Sequence, residues 1–552
     1  MGIGKIFTML VNRDFVEYVL KHANGKKNTV YASALFSGVC VAVLMYSLVL
    51  GLQSFTESEQ VSLRACLMFA SALAAFYFTQ KLGGTIVSTA VLKGLGELEL
   101  SVMDKLRRSS YAAKNGMDAE LIYAAVGGDK AGVVAAARFL IPNLSSVIVV
   151  VLAGVYLATV SIQGALLVAV LLYGLIRLYG DVILKKVNKR RIEDSQAVDR
   201  FTVSLKDIIE GFNELKMNRR KSEALFNEKI APASAKKNER LLVSELQLLG
   251  TVVLQQAVVY LPLGLILFLL PSFSETSAQD LMKLVSVTLM VTGPALSIVA
   301  SGPTTTAAAD MIKRLQDLEE LFSRSDLESI IEKDEEMPTA PDFKLLECAN
   351  IVFEYAKRAN DEKAFSIHVD KFHIKKGEFV IARGGNGSGK TTFMRVLAGL
   401  EKPTSGNIEV DGVRIGEADY RAMFSIVMTD FHLFDRFYGN GDVDAAQFRK
   451  WRDILRLDEK VQNYKDELPT VNLSSGQKKR MALLTAVLEN RRIMLLDEVA
   501  ADFDPEMRER FYREILPALK SEGRTLFVIS HDDRYYDIAD RIIEFREGTI
   551  VS

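Results

Sequence analysis

Apolar residues are spread unevenly along the chain. Between about residue 28 and residue 310 they gather into six long stretches, at 29–53, 61–85, 134–159, 162–184, 244–271 and 280–303. As a helix, each is long enough to cross a hydrocarbon layer roughly 30 Å thick. Any one could be a buried core helix. Six in series, with short polar gaps between alternate pairs, predict membrane-spanning helices. The gaps after the first, third and fifth stretches, "SFTESE", "TVS" and "PSFSETSAQ", hold no Lys or Arg. The N-terminus and the gaps after the second and fourth are long and basic, as in "KKVNKRRIEDSQAVDR" and "NRRKSEALFNEK". That bias puts the N-terminus and the long loops on the cytoplasmic side. Charges at i,i+4 spacing and few breakers predict that the long loops continue the spans as helical stalks.

The pattern changes after residue 323. Residues 324–342, "RSDLESIIEKDEEMPTAPD", are acidic and end in prolines, as a linker would. From 343 to 552, short apolar runs ("FVIARG", "IMLLDE", "LFVIS") alternate with helical stretches, which predicts an α/β domain with a largely parallel sheet. The expected fold class is a helical membrane domain of six spans over 1–323, followed by an α/β domain over 343–552, on the cytoplasmic side.

Composition adds boundaries rather than identity. A hydrophobic share of 49% coexists with 25% charged residues because the apolar residues sit mainly in one half. A net charge of -1 gives no global attraction to nucleic acid, and no nucleic-acid partner is expected. Cys40, Cys66 and Cys348 show neither disulfide nor zinc spacing. The opening "MGIGKIFTMLVNRDF" lacks a signal peptide's apolar core, and Ile6 stands where a myristoylation motif needs Ser or Thr. Within the apolar stretches, Arg138, Arg177, Gln255 and Gln256 are polar groups that face a cavity, another helix or a headgroup. Pro294 and Pro303 mark a hinge or a static kink.

The chemistry concentrates in the second half. "GEFVIARGGNGSGKTTF" places G-x-x-x-x-G-K-[ST], Gly384 to Thr391, between a strand and a helix. Gly384, Gly385, Asn386, Gly387, Ser388, Gly389 and Thr392 would cradle phosphates with backbone N–H groups. Lys390 would reach the β- and γ-phosphates, and the Thr391 hydroxyl would ligate Mg²⁺. In "RRIMLLDEVAADFDP" a buried strand ends in Asp497, suited to a Mg²⁺ shell. Glu498 follows it, placed to orient and deprotonate a water. "TLFVISHDD" ends a further strand at His531, within reach of the γ-phosphate or that water. "NLSSGQKKRMALL" opens a helix with Ser474, Ser475, Gly476 and Gln477, and helix starts attract anions.

The phosphate loop makes the domain over 343–552 an expected α/β P-loop NTPase domain, and with it "LSSGQ", "LLDE", "DFDP" and "SH" stand in the order of an ATP-binding cassette (ABC) ATPase. With six spans ahead of them, the chain resembles an ABC exporter half-transporter along essentially its whole length. That resemblance implies ATP and Mg²⁺ as cofactors and Tyr355, in "IVFEYAKR", stacked on adenine. It also implies Asp504 at the D-loop, and Ser474 and Gly476 closing on the nucleotide of a second copy. A homodimer would then have two competent sites. One departure stands out: where the family has a glutamine, "FSIVMTDFHLFD" has Thr429, followed by Asp430, which would reach Mg²⁺ through water.

A closer resemblance is to bacterial exporters of cyclic peptides and peptide siderophores or their precursors. It is carried by "GGNGSGK", "SSGQKKRMALL", "DEVAADFDPEMRERFYREILP" and the stalk stretch "DIIEGFNELKMNRRKSEALF". It implies export of peptide-like cargo across a bacterial inner membrane, with the protein in contact with the lipid bilayer. The alternatives are lipid or lipid-linked cargo, siderophore import and an ATP-gated regulator or channel. Intact Glu498 and His531 argue against the last, because a switch needs little turnover.

Overall fold

The computed structural model describes residues 13–551, apart from 59, 61, 112–121, 124–125, 128–129, 179–184, 274–276, 325–339, 356–364, 440–442, 466–467 and 469–472. The chain divides into two compact units. One comprises Met1–Asp104 and Asp118–Leu321; the other comprises Phe322–Ser552 together with Lys105–Met117. Most of the expected linker lies outside the described residues.

In the first unit the described residues of all six apolar stretches are predominantly helical. Among the described residues, four helical stretches are long and apolar enough to cross a membrane: Lys27–Phe55, Leu63–Arg108, Lys130–Val160 and Ala278–Ser323. The fourth and fifth expected spans hold the shorter apolar helices Ile162–Gly174 and Tyr260–Ser272. Pro262 lies inside the fifth helix, and Pro271 belongs to a 3₁₀ turn over Leu270–Ser272, because proline cannot continue the hydrogen-bond ladder. The helix Leu63–Arg108 has 46 residues. At 1.5 Å per residue it is about 69 Å long, more than twice a bilayer's hydrocarbon core.

The outward faces are not those of a water-soluble bundle. Phe36, Leu67, Phe78 and Phe268 are each more than 60% exposed, so apolar side chains point away from the protein interior. Between helices the contacts are partly polar. Asn143 Nδ2 donates to Ser301 Oγ at 2.6 Å, and Gln80 Nε2 donates to Ser37 Oγ at 2.9 Å, interhelical bonds suited to a medium without water. Arg138 and Gln256 are exposed, while the side chains of Arg177 and Gln255 lie outside the described residues.

The second unit is built on a sheet of nine strands among the described residues. They are β1 (Leu345–Glu354), β2 (Ser366–Lys375), β3 (Phe379–Gly384), β4 (Ser405–Val410), β5 (Phe424–Val427), β6 (Ile493–Asp497), β7 (Thr525–Ile529), β8 (Arg541–Arg546) and β9 (Thr549–Ile550). Their order is β4-β1-β2-β9-β8-β3-β7-β6-β5. Strands β8, β3, β7, β6 and β5 run parallel, and β1 pairs antiparallel with β2 and β4 at the other edge. The central parallel strands β3, β7 and β6 are buried along nearly their whole length, as strands covered on both sides must be. Alternate residues enter different cores: Phe379 and Ile381 pack on one face with Trp451 and Met481, Val380 and Ala382 on the other with Phe393 and Met394.

Three helices matter for the site: α1 (Lys390–Leu397), α2 (Ser475–Leu488) and α3 (Pro505–Arg510). Strands β3, β7 and β6 are neighbours in register, with Ala382 opposite Ile529 and Ile529 opposite Asp497. Their carboxyl ends therefore open on one edge, where ligands bind in parallel α/β sheets.

Candidate functional site

At that edge lies a cavity of about 570 Å³. Its floor is the loop from β3 into α1. Gly384, at φ 149°, leaves β3 so close to Phe545 that a Cβ would lie 2.4 Å from its carbonyl oxygen, and no side chain fits. Gly389, at φ 102°, precedes α1 and gives that helix no side-chain cap. The first N–H groups of α1 are thus left for an anion. Ser388 Oγ is buried without a hydrogen-bond partner among the described residues, and it lines the cavity. An orphaned buried hydroxyl beside an uncapped helix start suits a phosphate oxygen.

Lys390 is 5% exposed, and its Nζ donates to the carbonyls of Gly384 at 2.8 Å and Gly385 at 3.0 Å. Burial pushes its pKa down, opposed by the negative charges of Glu498 and Asp497. Opposite it, Asp497 ends β6 at 1% exposed. Burial raises its carboxyl pKa, and hydrogen bonds from Thr391 and Thr429 work against that rise. Thr391 Oγ1 lies 3.1 Å from Asp497 Oδ2. A hydroxyl and a carboxylate this close form a hard oxygen pair that fits Mg²⁺, an ion that takes one or two protein ligands and completes its shell with phosphates and water. Glu498, in the left-handed conformation (φ 49°, ψ 39°), brings Oε1 to 3.1 Å from His531 Nε2.

The cavity thus gathers Asn386, Gly387, Ser388, Gly389, Lys390, Thr391, Thr392, Asp430, Asp497 and Glu498. Asp430 is 74% exposed and sits 3.8 Å from Arg395. Thr429 is nearer the carboxylate, and its Oγ1 donates to the Asp497 carbonyl at 3.3 Å. Tyr355 does not line the cavity: its ring packs edge-on against Phe353 at 4.9 Å. Phe365, paired with it through the Tyr355 N–H at 3.1 Å, is the aromatic that lines the cavity. Phe365 and Arg395 line the cavity although no local sequence motif marks them.

The "LSSGQ" turn lies outside this cavity. Ser474 caps α2 and forms a capping box: its Oγ accepts from the Gln477 N–H at 3.2 Å, and Gln477 Oε1 accepts from the Ser474 N–H at 3.0 Å. Ser474 and Ser475 are exposed. Asp504 caps α3, accepting from the Met507 N–H at 2.9 Å, and that bond holds its carboxyl below the usual range.

The chain is similar to known proteins. A family model described as ABC transporter matches residues 367–501. The energy-coupling factor transporter ATP-binding protein EcfA2 of Clostridium perfringens is 35% identical over 198 residues, which are 32% of this chain and 68% of that protein. The chain belongs to the ABC transporter family. Another ABC relative, the ATP-binding protein SyrD of Pseudomonas syringae pv. syringae, is 32% identical over 362 residues. That match covers 62% of this chain and 62% of the relative, so the chain spans less than two thirds of SyrD's length. The matched length exceeds the cassette and reaches into the helical half. The solved structure of a bacterial Atm1-family ABC exporter with ATP bound superposes with a TM-score of 0.73 over 96% of this chain and 95% of that one. At 17% identity this establishes the ABC exporter fold for the whole chain and nothing finer.

Proposed function

We propose that this protein is one half of an ATP-driven exporter, active as a homodimer in a bacterial cytoplasmic membrane, with its N-terminus and cassette in the cytoplasm. One observation carries the reading. Lys390, Thr391, Asp497 and Glu498 share a cavity with an uncapped helix start, and Ser474 and Gly476 lie outside that cavity. A nucleotide held by the first group still lacks the second, and a second copy would supply it.

In this reading Lys390 releases the carbonyls of Gly384 and Gly385 and binds the β- and γ-phosphate oxygens. The backbone from Gly385 to Thr392 and the hydroxyl of Ser388 bind the remaining oxygens. Thr391 and Asp497 would hold Mg²⁺, which would supply positive charge against those phosphates. Glu498 accepts a proton from the attacking water, and His531 orients that carboxylate or contacts the γ-phosphate. Phe365 or Tyr355 offers the face for a purine ring. Closure of two cassettes would turn the cargo path outward, and hydrolysis would reset it.

For cargo, we favour a cyclic peptide or a peptide siderophore or precursor, on the resemblance of the cassette and stalk stretches to exporters of that class. The deciding experiment is ATPase activity in lipid vesicles against a panel of cyclic peptides, siderophores and lipids, with Glu498→Gln as the blank. Saturable stimulation by a peptide-like compound, absent from the blank, supports the proposal. Stimulation by lipid alone moves the cargo into the bilayer, and sustained ionic current makes the protein a channel.

A further inference from the structure

Within the cassette, the "LSSGQ" turn and the Glu498 turn meet at a buried lysine. Lys479 lies one turn into α2 and is 4% exposed. Its Nζ donates to the Glu498 carbonyl at 2.9 Å and lies 3.2 Å from Asp502 Oδ2. A buried ammonium is costly unless it is paired and hydrogen-bonded, and both partners of this one belong to the turn that carries Glu498.

That turn needs holding. Glu498 adopts φ 49° and ψ 39°, a region that residues other than glycine rarely occupy and keep only when the surroundings impose it. Its N–H donates to the Ile529 carbonyl at 3.1 Å, and its own carbonyl accepts from Ala501 N at 3.2 Å and from Lys479. A second contact joins the same two segments. A Cβ on Gly476 would lie 2.9 Å from the Asp502 carbonyl oxygen, so the start of α2 packs directly on the backbone that follows Glu498.

We infer that Lys479 is a positioning residue for hydrolysis: it holds Glu498 in the left-handed conformation that aims its carboxylate into the cavity, and it fastens the backbone of that turn to the start of α2. The inference rests on the proposed hydrolytic role of Glu498. Through Lys479 and Gly476, movement of the "LSSGQ" turn reaches Glu498 without passing through a nucleotide.

The test uses the full-length protein in vesicles. It measures kcat and KM for MgATP, and the affinity for trinitrophenyl-ATP, in Lys479→Met, Lys479→Arg, Asp502→Asn, Glu498→Gln and the Lys479→Met/Glu498→Gln double variant. Lys479→Met should lower kcat by about 100-fold, the loss that a misplacement of about 1 Å brings, and leave KM and probe affinity within about twofold. Lys479→Arg should recover most of kcat, and Asp502→Asn should fall between the two. The double variant should be no slower than Glu498→Gln alone, because groups that act as a unit are not additive. A kcat for Lys479→Met within twofold of wild type overturns the inference. So does a double variant slower than Glu498→Gln by the full Lys479→Met factor. An active Glu498→Gln protein instead removes the hydrolytic reading beneath it, so the two failures are told apart.

Discussion

The cassette contains two helix starts built from the same residues, glycine and serine, and they are in opposite states. Helix α1 begins at Gly389 with no side-chain cap, and the nearby Ser388 hydroxyl is buried and unpartnered among the described residues. Helix α2 begins at Ser474 with its own capping box, on an exposed turn. The first start leaves donors unsatisfied and faces a cavity, so it is ready for an anion within one chain. The second has satisfied part of its need internally, and its residues lie outside their own chain's cavity. A helix start predicts an anion only when its donors are unspent, which is a fact of side-chain geometry rather than composition.

Alanine at the two glycines should separate these roles most strongly. At Gly389 a Cβ would sit 2.9 Å from Ile367 Cγ2 in a left-handed backbone. Left-handed strain alone costs about 1–2 kcal/mol, and with the clash nucleotide affinity should fall about 100-fold. At Gly476 the backbone is unstrained, and the obstacle is the Asp502 carbonyl. Gly476→Ala should therefore bind nucleotide with unchanged affinity and hydrolyse it slowly. Equal losses of trinitrophenyl-ATP binding in both variants would erase the distinction.

The two serines sharpen the same contrast with a smaller effect. Removing the Ser388 hydroxyl should weaken nucleotide binding by one hydrogen bond to a charged group, about 1.5–3 kcal/mol, or roughly tenfold or more, without lowering stability. Ser474→Ala should do the reverse. It removes a cap that accepts at 3.2 Å, so α2 should lose about 1 kcal/mol with nucleotide affinity intact. Isothermal titration with nucleotide and hydrogen exchange along α2 would read the two losses separately.

Much of this was legible because it is local. The runs that became β3, β6 and β7, the phosphate loop between β3 and α1, and the acidic pair at the end of β6 are each contained in a short window of sequence. Strand pairing was less visible. At the antiparallel edge β4 pairs with β1 across a long stretch of chain, Leu346 opposite Val410, and the nearer pairing of β1 with β2 sets Phe365 opposite Tyr355 with no motif to mark it. Charges that do their work by being buried, such as Lys479, carry no local mark, and "KKR" reads as a solvated run until packing is known. Ser474 is an intermediate case. Its Ser-x-x-Gln spacing is a capping signal as well as a helix start that attracts anions, and only the side-chain geometry shows the cap formed.

Asp504 provides the smallest and finest test. As part of a dimer contact it would act through its charge toward a second copy. In the single chain it is already occupied as the cap of α3, accepting from the Met507 N–H. Because that bond lowers its folded-state pKa, the carboxylate's contribution is fully present above the unfolded value near 4 and is lost as pH falls through the lower folded one. Asp504→Ala should cost about 1 kcal/mol locally, seen as roughly fivefold faster amide exchange at the start of α3. Asp504→Asn should keep the cap and lose its pH dependence. If Asp504→Asn preserves exchange protection but lowers kcat, the charge serves a second copy as well as the helix. If both exchange and kcat survive, capping accounts for Asp504 completely, and Ser474 and Gly476 remain as the residues through which one copy would meet the other's nucleotide.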